Sequence, residues 1–581
     1  MRLSSAITSL LSLGAASASL VARDSIDGLD FDISLIEETV PMKYIKLDFD
    51  KLRGDSPETA VKGAQGAAHL VKRSDGTALV YLKNEQTFYS VEIGVGTPAQ
   101  NQTLLIDTGS SDLWIMGSNN PFCAGSTSSK KDVAIDERGI LSFLSSLTAT
   151  LTVTASATAS NVPSRSSVSS DQATLSCSEW GTFATGSSSS FESNDTSFYI
   201  VYGDNTYALG TWGSDKVTLQ NLEIPRVNFA VANESTSEFG VMGIGMEELE
   251  STYALASSAA DRHTYVNFPS ALKAQGDIHS KAFSLFLDTL DAKHGSILFG
   301  AIDHSKYSGT LYTVPIINTY KSKGYANPIR FEITMQGMGL YANKTSTTFT
   351  NSKIPVVLDS GSTISYLPDT LVTAVAKKLK ASYSSSSSAY IFSCSEVSDD
   401  DSFVFDFGGF QIRSALSNYV LDVVDNSICA LGLVPQDADS SFILGDNFLT
   451  AAYVVYDMDN MEISMAQANY NGGAESIDII TSTVPGAVKA PMYSSTYGSS
   501  LSVATGGNIF TLSSNAIVST SATSNGTVTG SGTTISRSGS SSSTSTSTSG
   551  KKNAAVGVVA PSHGVYSFFT ILGVSMVAAL L

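Results

Sequence analysis

From Tyr89 onward, apolar and polar residues alternate in short stretches, as in Tyr89, Val91, Ile93 and Val95. A period of two sets one face of a β-strand against a core. Gly96-Thr97-Pro98 closes that stretch as a turn, and Leu104-Leu105-Ile106, apolar on both faces, predicts a buried strand running into Asp107. A second such stretch, Pro355-Val356-Val357-Leu358, runs into Asp359. Helical periodicity is sparse and clearest from Leu371 to Leu379. The chain to about Gly472 is therefore predicted to be mainly β.

The flanks have different patterns. Arg2 precedes an apolar run from Leu3 to Leu13, and Ala16-Ser17-Ala18 supplies the small residues of a signal-peptidase site, so residues 1–18 are expected to be a signal peptide. Residues 19–73, of mixed charge and containing Tyr44-Ile45-Lys46-Leu47-Asp48-Phe49, end in the dibasic pair Lys72-Arg73 and are expected to be a pro-segment cut after Arg73. From 473 the composition shifts toward Ser, Thr and Gly, most strongly from Tyr493 to Gly550, which predicts an extended O-glycosylated stalk over 473–553. The end, apolar from about Val565 to Leu581, is interrupted by Ser567, Thr570, Gly573 and Ser575 and lies a spacer beyond Asn553-Ala554-Ala555. This pattern predicts a glycolipid (GPI) signal over 554–581 with attachment at Asn553, a plain C-terminal membrane helix being the alternative.

Composition narrows the function classes. At 581 residues and 42% hydrophobic content the chain can bury more than one sizeable core, while a net charge of -19 and a pI near 4.7 argue against nucleic acid as a partner. Four cysteines, Cys123, Cys177, Cys394 and Cys429, suit an oxidising compartment. They allow three connectivities, of which loop closure favours the local one, Cys123 with Cys177 and Cys394 with Cys429. No C-x-x-C or H-E-x-x-H spacing occurs, so no metal and no cofactor is expected. Sequons at Asn101, Asn194, Asn233, Asn343 and Asn525 are candidate glycosylation sites. Between Cys123 and Cys177 the Ser/Thr/Ala-rich insertion 124–176, with Lys130-Lys131 near its start, is expected to be an exposed, cleavable loop; cutting it would give two disulfide-linked chains.

The most specific feature is an internal repeat. Asp107-Thr108-Gly109-Ser110-Ser111 and Asp359-Ser360-Gly361-Ser362-Thr363 are the two Asp-Ser/Thr-Gly triplets, 359 - 107 = 252 residues apart. Each follows a hydrophobic strand, and each is followed downstream by an apolar-apolar-Gly segment, Val241-Met242-Gly243-Ile244-Gly245 and Ile443-Leu444-Gly445-Asp446. A lone triplet is only a polar turn after a strand. Two in matched settings indicate duplication.

With these motifs, over roughly residues 74–472, the chain resembles the pepsin-like aspartic proteases, and most closely the fungal yapsins and GPI-anchored secreted aspartyl proteinases. Leu113-Trp114 looks like the family's tryptophan, Tyr202-Gly203-Asp204 like its flap, and His294 to Tyr307 has the yapsin look. The resemblance implies an all-β, bilobal fold with a pseudo-two-fold axis, an N-terminal lobe over 74–290, a C-terminal lobe over 291–472 and a cleft between them. It also implies that Ser110 and Ser362 bond the outer carboxylate oxygens, that Thr108, Gly109, Ser360 and Gly361 support the pair, and that Tyr202 and Trp114 work at the flap.

The chemistry suits paired carboxylates. Two brought within hydrogen-bonding distance share one proton, so one can activate water as base while the other stabilises the developing gem-diol as acid. The expected activity is therefore an aspartic endopeptidase with Asp107 and Asp359 as its catalytic pair, acting on polypeptides at a cell surface as a monomer. Asp204 at the flap tip would pair with a substrate Lys or Arg, giving a preference for basic sites; the alternative is a turn-forming Asp. Two other classes remain, a non-catalytic binding protein on the same scaffold and a cell-wall structural glycoprotein. A serine hydrolase is unsupported, because no G-x-S-x-G occurs.

Overall fold

The computed structural model describes residues 44–52, 88–124, 173, 175–202, 206–219, 222–256, 260–290, 292–384, 389–422, 427–436, 441–497 and 505–510. Lys72, Arg73, Gly203, Asp204, Asn525, Asn553 and nearly all of the 124–176 loop lie outside these residues, as do both expected terminal signals.

The duplicated text folds into duplicated structure. The strand Gln100–Asp107 pairs in parallel with Gly240–Gly243, Asp107 lying opposite Gly243, and Leu113–Met116 crosses back antiparallel to that segment. In the second half Ile354–Leu358 pairs in parallel with Ile443–Leu444, and Ser365–Pro368 lies antiparallel to the same segment. The apolar-apolar-Gly motif is thus the strand on which each triplet strand leans. Its glycines are small because the triplet loop runs over them. A Cβ at Gly243 would lie 2.6 Å from the Asp112 amide nitrogen, and one at Gly445 would lie 2.2 Å from the Ser362 carbonyl.

A 14-stranded sheet runs through both halves. At its centre the strand Ile45–Leu52 is paired along one edge with His294–Phe299 and along the other with Phe88–Val95. Leu47 and Phe49 are fully buried and flank exposed Asp48, the alternation of a one-sided strand. Phe49 packs edge-on against Tyr89 at 5.2 Å and fills the space a side chain at Gly295 would take. The segment upstream of Lys72-Arg73 is therefore built into the sheet.

The predicted helix is present as Asp369–Lys378, with Leu371, Val372, Val375 and Ala376 on its buried face. The folded region extends past the boundary expected at 472. Ile477–Ile479 pairs with Ala301–Asp303, Val488–Lys489 adds a parallel strand beside Tyr312 and Thr313, and Thr505 bridges to Thr350. Ile480, Val484 and Ile509 are buried, and the Tyr493 hydroxyl accepts from the Thr334 amide at 2.8 Å. A few well-placed apolar residues suffice to dock Ser/Thr-rich chain, because the sheet edges supply the backbone partners.

Candidate active site

Each triplet strand delivers its aspartate to the end of a parallel pair, and a tight loop then turns the chain back. Gly109 donates to Asp107 Oδ1 at 2.7 Å and Ser110 Oγ to Oδ2 at 2.5 Å. The second loop repeats this, with Gly361 N to Asp359 Oδ1 at 2.8 Å and Ser362 Oγ to Oδ2 at 2.8 Å. Both carboxyls are thereby held by the same two donors in the same order. Ser110 and Ser362 occupy the roles the resemblance implied.

Four further bonds lock the loops together. Thr108 Oγ1 donates to the Leu358 carbonyl at 3.0 Å and accepts from the Ser360 amide at 2.9 Å. Reciprocally, Ser360 Oγ donates to the Ile106 carbonyl at 3.1 Å and accepts from the Thr108 amide at 3.2 Å. Each hydroxyl both donates and accepts across the two halves, which is why the second triplet position must be Thr or Ser. The glycines complete the approach. A Cβ at Gly109 would lie 2.5 Å from Asp359 Oδ1, so only glycine lets this backbone pass the opposite carboxylate.

Asp107 and Asp359 are fully buried, with each carboxyl close enough to feel the other. Burial, and then the charge of Asp359, hold the Asp107 carboxyl well above the ordinary carboxylate range. Burial also raises Asp359, against the opposing pull of the Ser362 and Gly361 donors, the neighbouring Asp107 carboxyl and the Arg330 cation. Two such carboxyls titrate as a unit that retains a proton where a free carboxylate has lost it. A pair sharing one proton can supply one general base and one general acid.

Tyr202 stands at the end of the hairpin formed by Glu192–Val201 and Tyr207–Leu219, its amide bonded to the Thr206 carbonyl at 2.9 Å. Its ring is buried in a small cluster with Leu105, Trp114, Met116, Phe198 and Trp212, and its hydroxyl accepts from Trp114 Nε1 at 2.5 Å. Trp114 therefore lies directly beneath Tyr202.

A family model described as eukaryotic aspartyl protease matches residues 88–468, which contain both triplets, the parallel strand pairs that carry them and the hairpin. The chain belongs to this family. It is 47% identical to Aspartic proteinase 3 of Saccharomyces cerevisiae over 84% of this chain and 90% of that protein. Aspartic proteinase yapsin-3 of the same yeast is 42% identical over 81% of each chain, and Secreted aspartic protease 9 of Candida albicans is 34% identical over 77% of this chain and 89% of that one. This aspartyl protease is an aspartic endopeptidase with the pepsin-like fold.

Of the other expected residues, Cys123–Cys177 and Cys394–Cys429 form the two disulfides favoured by loop closure. Asn101, Asn194 and Asn343 are exposed. Asn233 is a correction. It lies on the strand Leu222–Ser235 at 7% exposure, so its sequon is part of the packed protein and not a glycan site. Sequence reasoning missed a second layer behind the first triplet. Asp112, five residues after Asp107, is buried and accepts from Tyr265 Oη at 2.8 Å and from the Ser251 amide at 2.9 Å. The one local sign was an acidic residue inside an otherwise apolar or small run, Ser110 to Ile115.

Proposed function

We propose that this aspartic endopeptidase is a yapsin-like enzyme of the cell surface, made as a secreted proenzyme, tethered through a GPI group at Asn553, and cleaving polypeptides beside Lys or Arg in the processing of surface and cell-wall proteins. The observation that carries the reading is the similarity to the yeast proteins, 42 to 47% identical over more than four-fifths of the chain. The Candida relative is by its name a secreted aspartic protease, which supports the secretory route.

Three sequence features support the finer claims. Asp204 follows Tyr202 by two positions in the sequence, and a carboxylate there would be suited to pair with a basic substrate residue next to the scissile bond. The net charge of -19 favours encounter with basic chains. The apolar C-terminal run with Asn553-Ala554-Ala555 upstream supports the tether. In the proposed reaction one carboxyl of the Asp107–Asp359 pair removes a proton from a bound water as it attacks the peptide carbonyl. The other gives its proton to the developing oxyanion, and proton transfer to the amine releases the products.

The test uses purified protein on matched peptides that differ only in Lys, Arg or Leu before the bond. Asp107→Asn should abolish cleavage of all three, and Asp204→Ala should lower kcat/KM on the Lys and Arg peptides by about tenfold or more while sparing the Leu peptide. Equal losses on all three peptides would remove the specificity claim. Full activity in the Asp107→Asn variant would remove the mechanism.

A further inference from the structure

We propose that Tyr265 is a positioning residue that ties the catalytic loop after Asp107 to the hairpin carrying Tyr202, through its hydroxyl on Asp112 and its ring on Trp212.

The contacts form a closed circuit. Asp112 ends the loop that begins at Asp107, and its carbonyl accepts from the Gly243 amide at 3.0 Å, the same residue that lies opposite Asp107 in the parallel pair. The carboxylate of Asp112 is pinned by Tyr265 Oη and the Ser251 amide, while the Tyr265 amide donates to Glu250 Oε2 at 2.7 Å. On its other side the Tyr265 ring packs against Trp212, centroids 4.8 Å apart, and Trp212 packs edge-on to Phe198 at 5.1 Å. Phe198 and Trp212 lie on the two strands of the hairpin whose end carries Tyr202. Tyr202 then returns to the start through Trp114 Nε1, two residues after Asp112. Loop and hairpin are thus joined at two places, Trp114 with Tyr202 and Asp112 with Tyr265 and Trp212. The base and flanks of the hairpin are held by its pairing with the strand Leu222–Ser235; the first contact fixes the Tyr202 end to Trp114, and the second fixes the outer face of Trp212 to the loop that ends at Asp112.

Tyrosine is the residue type this place requires. Its hydroxyl satisfies one oxygen of a fully buried carboxyl that has the Ser251 amide on the other, and its ring supplies the face on which an indole packs. The titratable groups around the junction are Asp112 itself, Glu250, with Glu247 and Glu248 behind it, Lys281 at 3.6 Å from Glu247, and Asp261, Arg262 and His263 on the segment leading to Tyr265. Among the described residues, the hairpin brings the neutral rings of Trp212 and Phe198 to this contact.

The two halves of the Tyr265 side chain predict different kinetic signatures. Removing the hydroxyl in Tyr265→Phe loosens the catalytic loop and should lower kcat three- to tenfold with KM within twofold of wild type. Removing the ring as well in Tyr265→Leu frees the hairpin over the substrate and should raise KM at least fivefold in addition. Trp212→Leu, which breaks the ring contact from the hairpin side and leaves the hydroxyl bond in place, should reproduce the KM rise without the same fall in kcat. All rates are taken per active site, titrated with a non-cleavable peptide that carries a hydroxyl in place of the scissile amide, so that misfolded protein does not count. The substrate is whichever peptide the enzyme cleaves best, which makes the result independent of basic-site preference. Should Tyr265→Leu fail to fold, Tyr265→Phe and Trp212→Leu still decide. Wild-type kcat in the first, or wild-type KM in the second, overturns the assignment.

Discussion

Thr108→Val tests the bonds that bridge the two halves while adding and removing almost no volume. Valine keeps the shape of threonine but loses both functions of Oγ1, so the Leu358 carbonyl forfeits a donor and the Ser360 amide forfeits its acceptor. Thr108 and Ser360 are buried, at 2% exposure each, and water does not readily replace the lost partner. At about 1–3 kcal/mol for each buried group left unsatisfied, the substitution should cost about 2–6 kcal/mol. That is a large share of the stability of an ordinary domain, about 5–15 kcal/mol. Ser360→Ala removes the reciprocal pair of bonds and should cost a similar amount. Because all four bonds cross one interface, the double variant should lose less than the sum of the two, by about 1 kcal/mol or more. Urea unfolding at pH 4, followed by tryptophan emission, gives the stabilities. The same variants report on catalysis, since a displacement of about 1 Å between reacting groups can cost about a hundredfold. Thr108→Val should therefore lower kcat/KM by at least tenfold. An unchanged unfolding midpoint together with wild-type kcat/KM would refute the view that this cross-connection sets the spacing of Asp107 and Asp359.

Further predictions concern pH, the glycine at the dyad, and the docked tail. Burial raises the carboxyls of Asp112 and Asp406 to about 6 and those of Glu332 and Asp457 above their ordinary range, so the folded protein binds protons that the unfolded chain releases. Stability from these groups is fully present below the unfolded carboxylate range near pH 4 and is lost as pH rises through their raised folded-state values, about 6 for Asp112 and Asp406; for Asp112 alone, moving from 3.8 to about 6, the loss is about 3 kcal/mol. A Tm that stays flat or rises from pH 4 to pH 7 would contradict this sign, and Asp112→Asn should make the fall shallower. Gly109→Ala should abolish activity, because its methyl would lie 2.5 Å from Asp359 Oδ1; measurable kcat on any peptide would mean that the backbone can yield there. Ending the chain at 472 should reduce secreted, folded protein sharply, whereas ending it at 510 should not; equal yields would show the docked segment 477–510 to be dispensable.

The parts of the site visible in the sequence are those encoded locally. A buried strand running into Asp-Thr-Gly or Asp-Ser-Gly, with an apolar-apolar-Gly segment downstream, states its own geometry, and duplication makes the statement specific. Trp114 carried a signal through its spacing from Asp107 and Tyr202 through its place between the triplets and its likeness to the family's flap, and loop closure was enough to favour the observed cysteine pairing. What sequence reasoning missed depends on contacts between distant segments. Nothing around Ile45–Leu52 says that it will lie between strands some 40 and 245 residues away. Asp112 meets Tyr265 across 153 residues, and neither residue is unusual in its own neighbourhood. Asn233 was misjudged because a sequon is defined by three residues, whereas exposure is decided by the strands packed around them. The tail beyond 472 was misjudged because composition counts apolar residues without asking where each one lands.

That tail also determines how an enzyme held by its C-terminus could be set loose intact. Cutting just after 472 would separate the body from Ile477–Ile479, which pairs with Ala301–Asp303, and from the tyrosine that caps the Thr334 amide, and a cut as late as 497 would still remove Thr505 and Ile509. The protein released would be damaged by the act of release. Cutting beyond Phe510 would leave every one of these contacts on the departing molecule. Were the chain tethered as proposed, a cut in the Ser/Thr/Gly-rich sequence between 511 and 550 would free the protease with every contact described for 477–497 and 505–510 still in place.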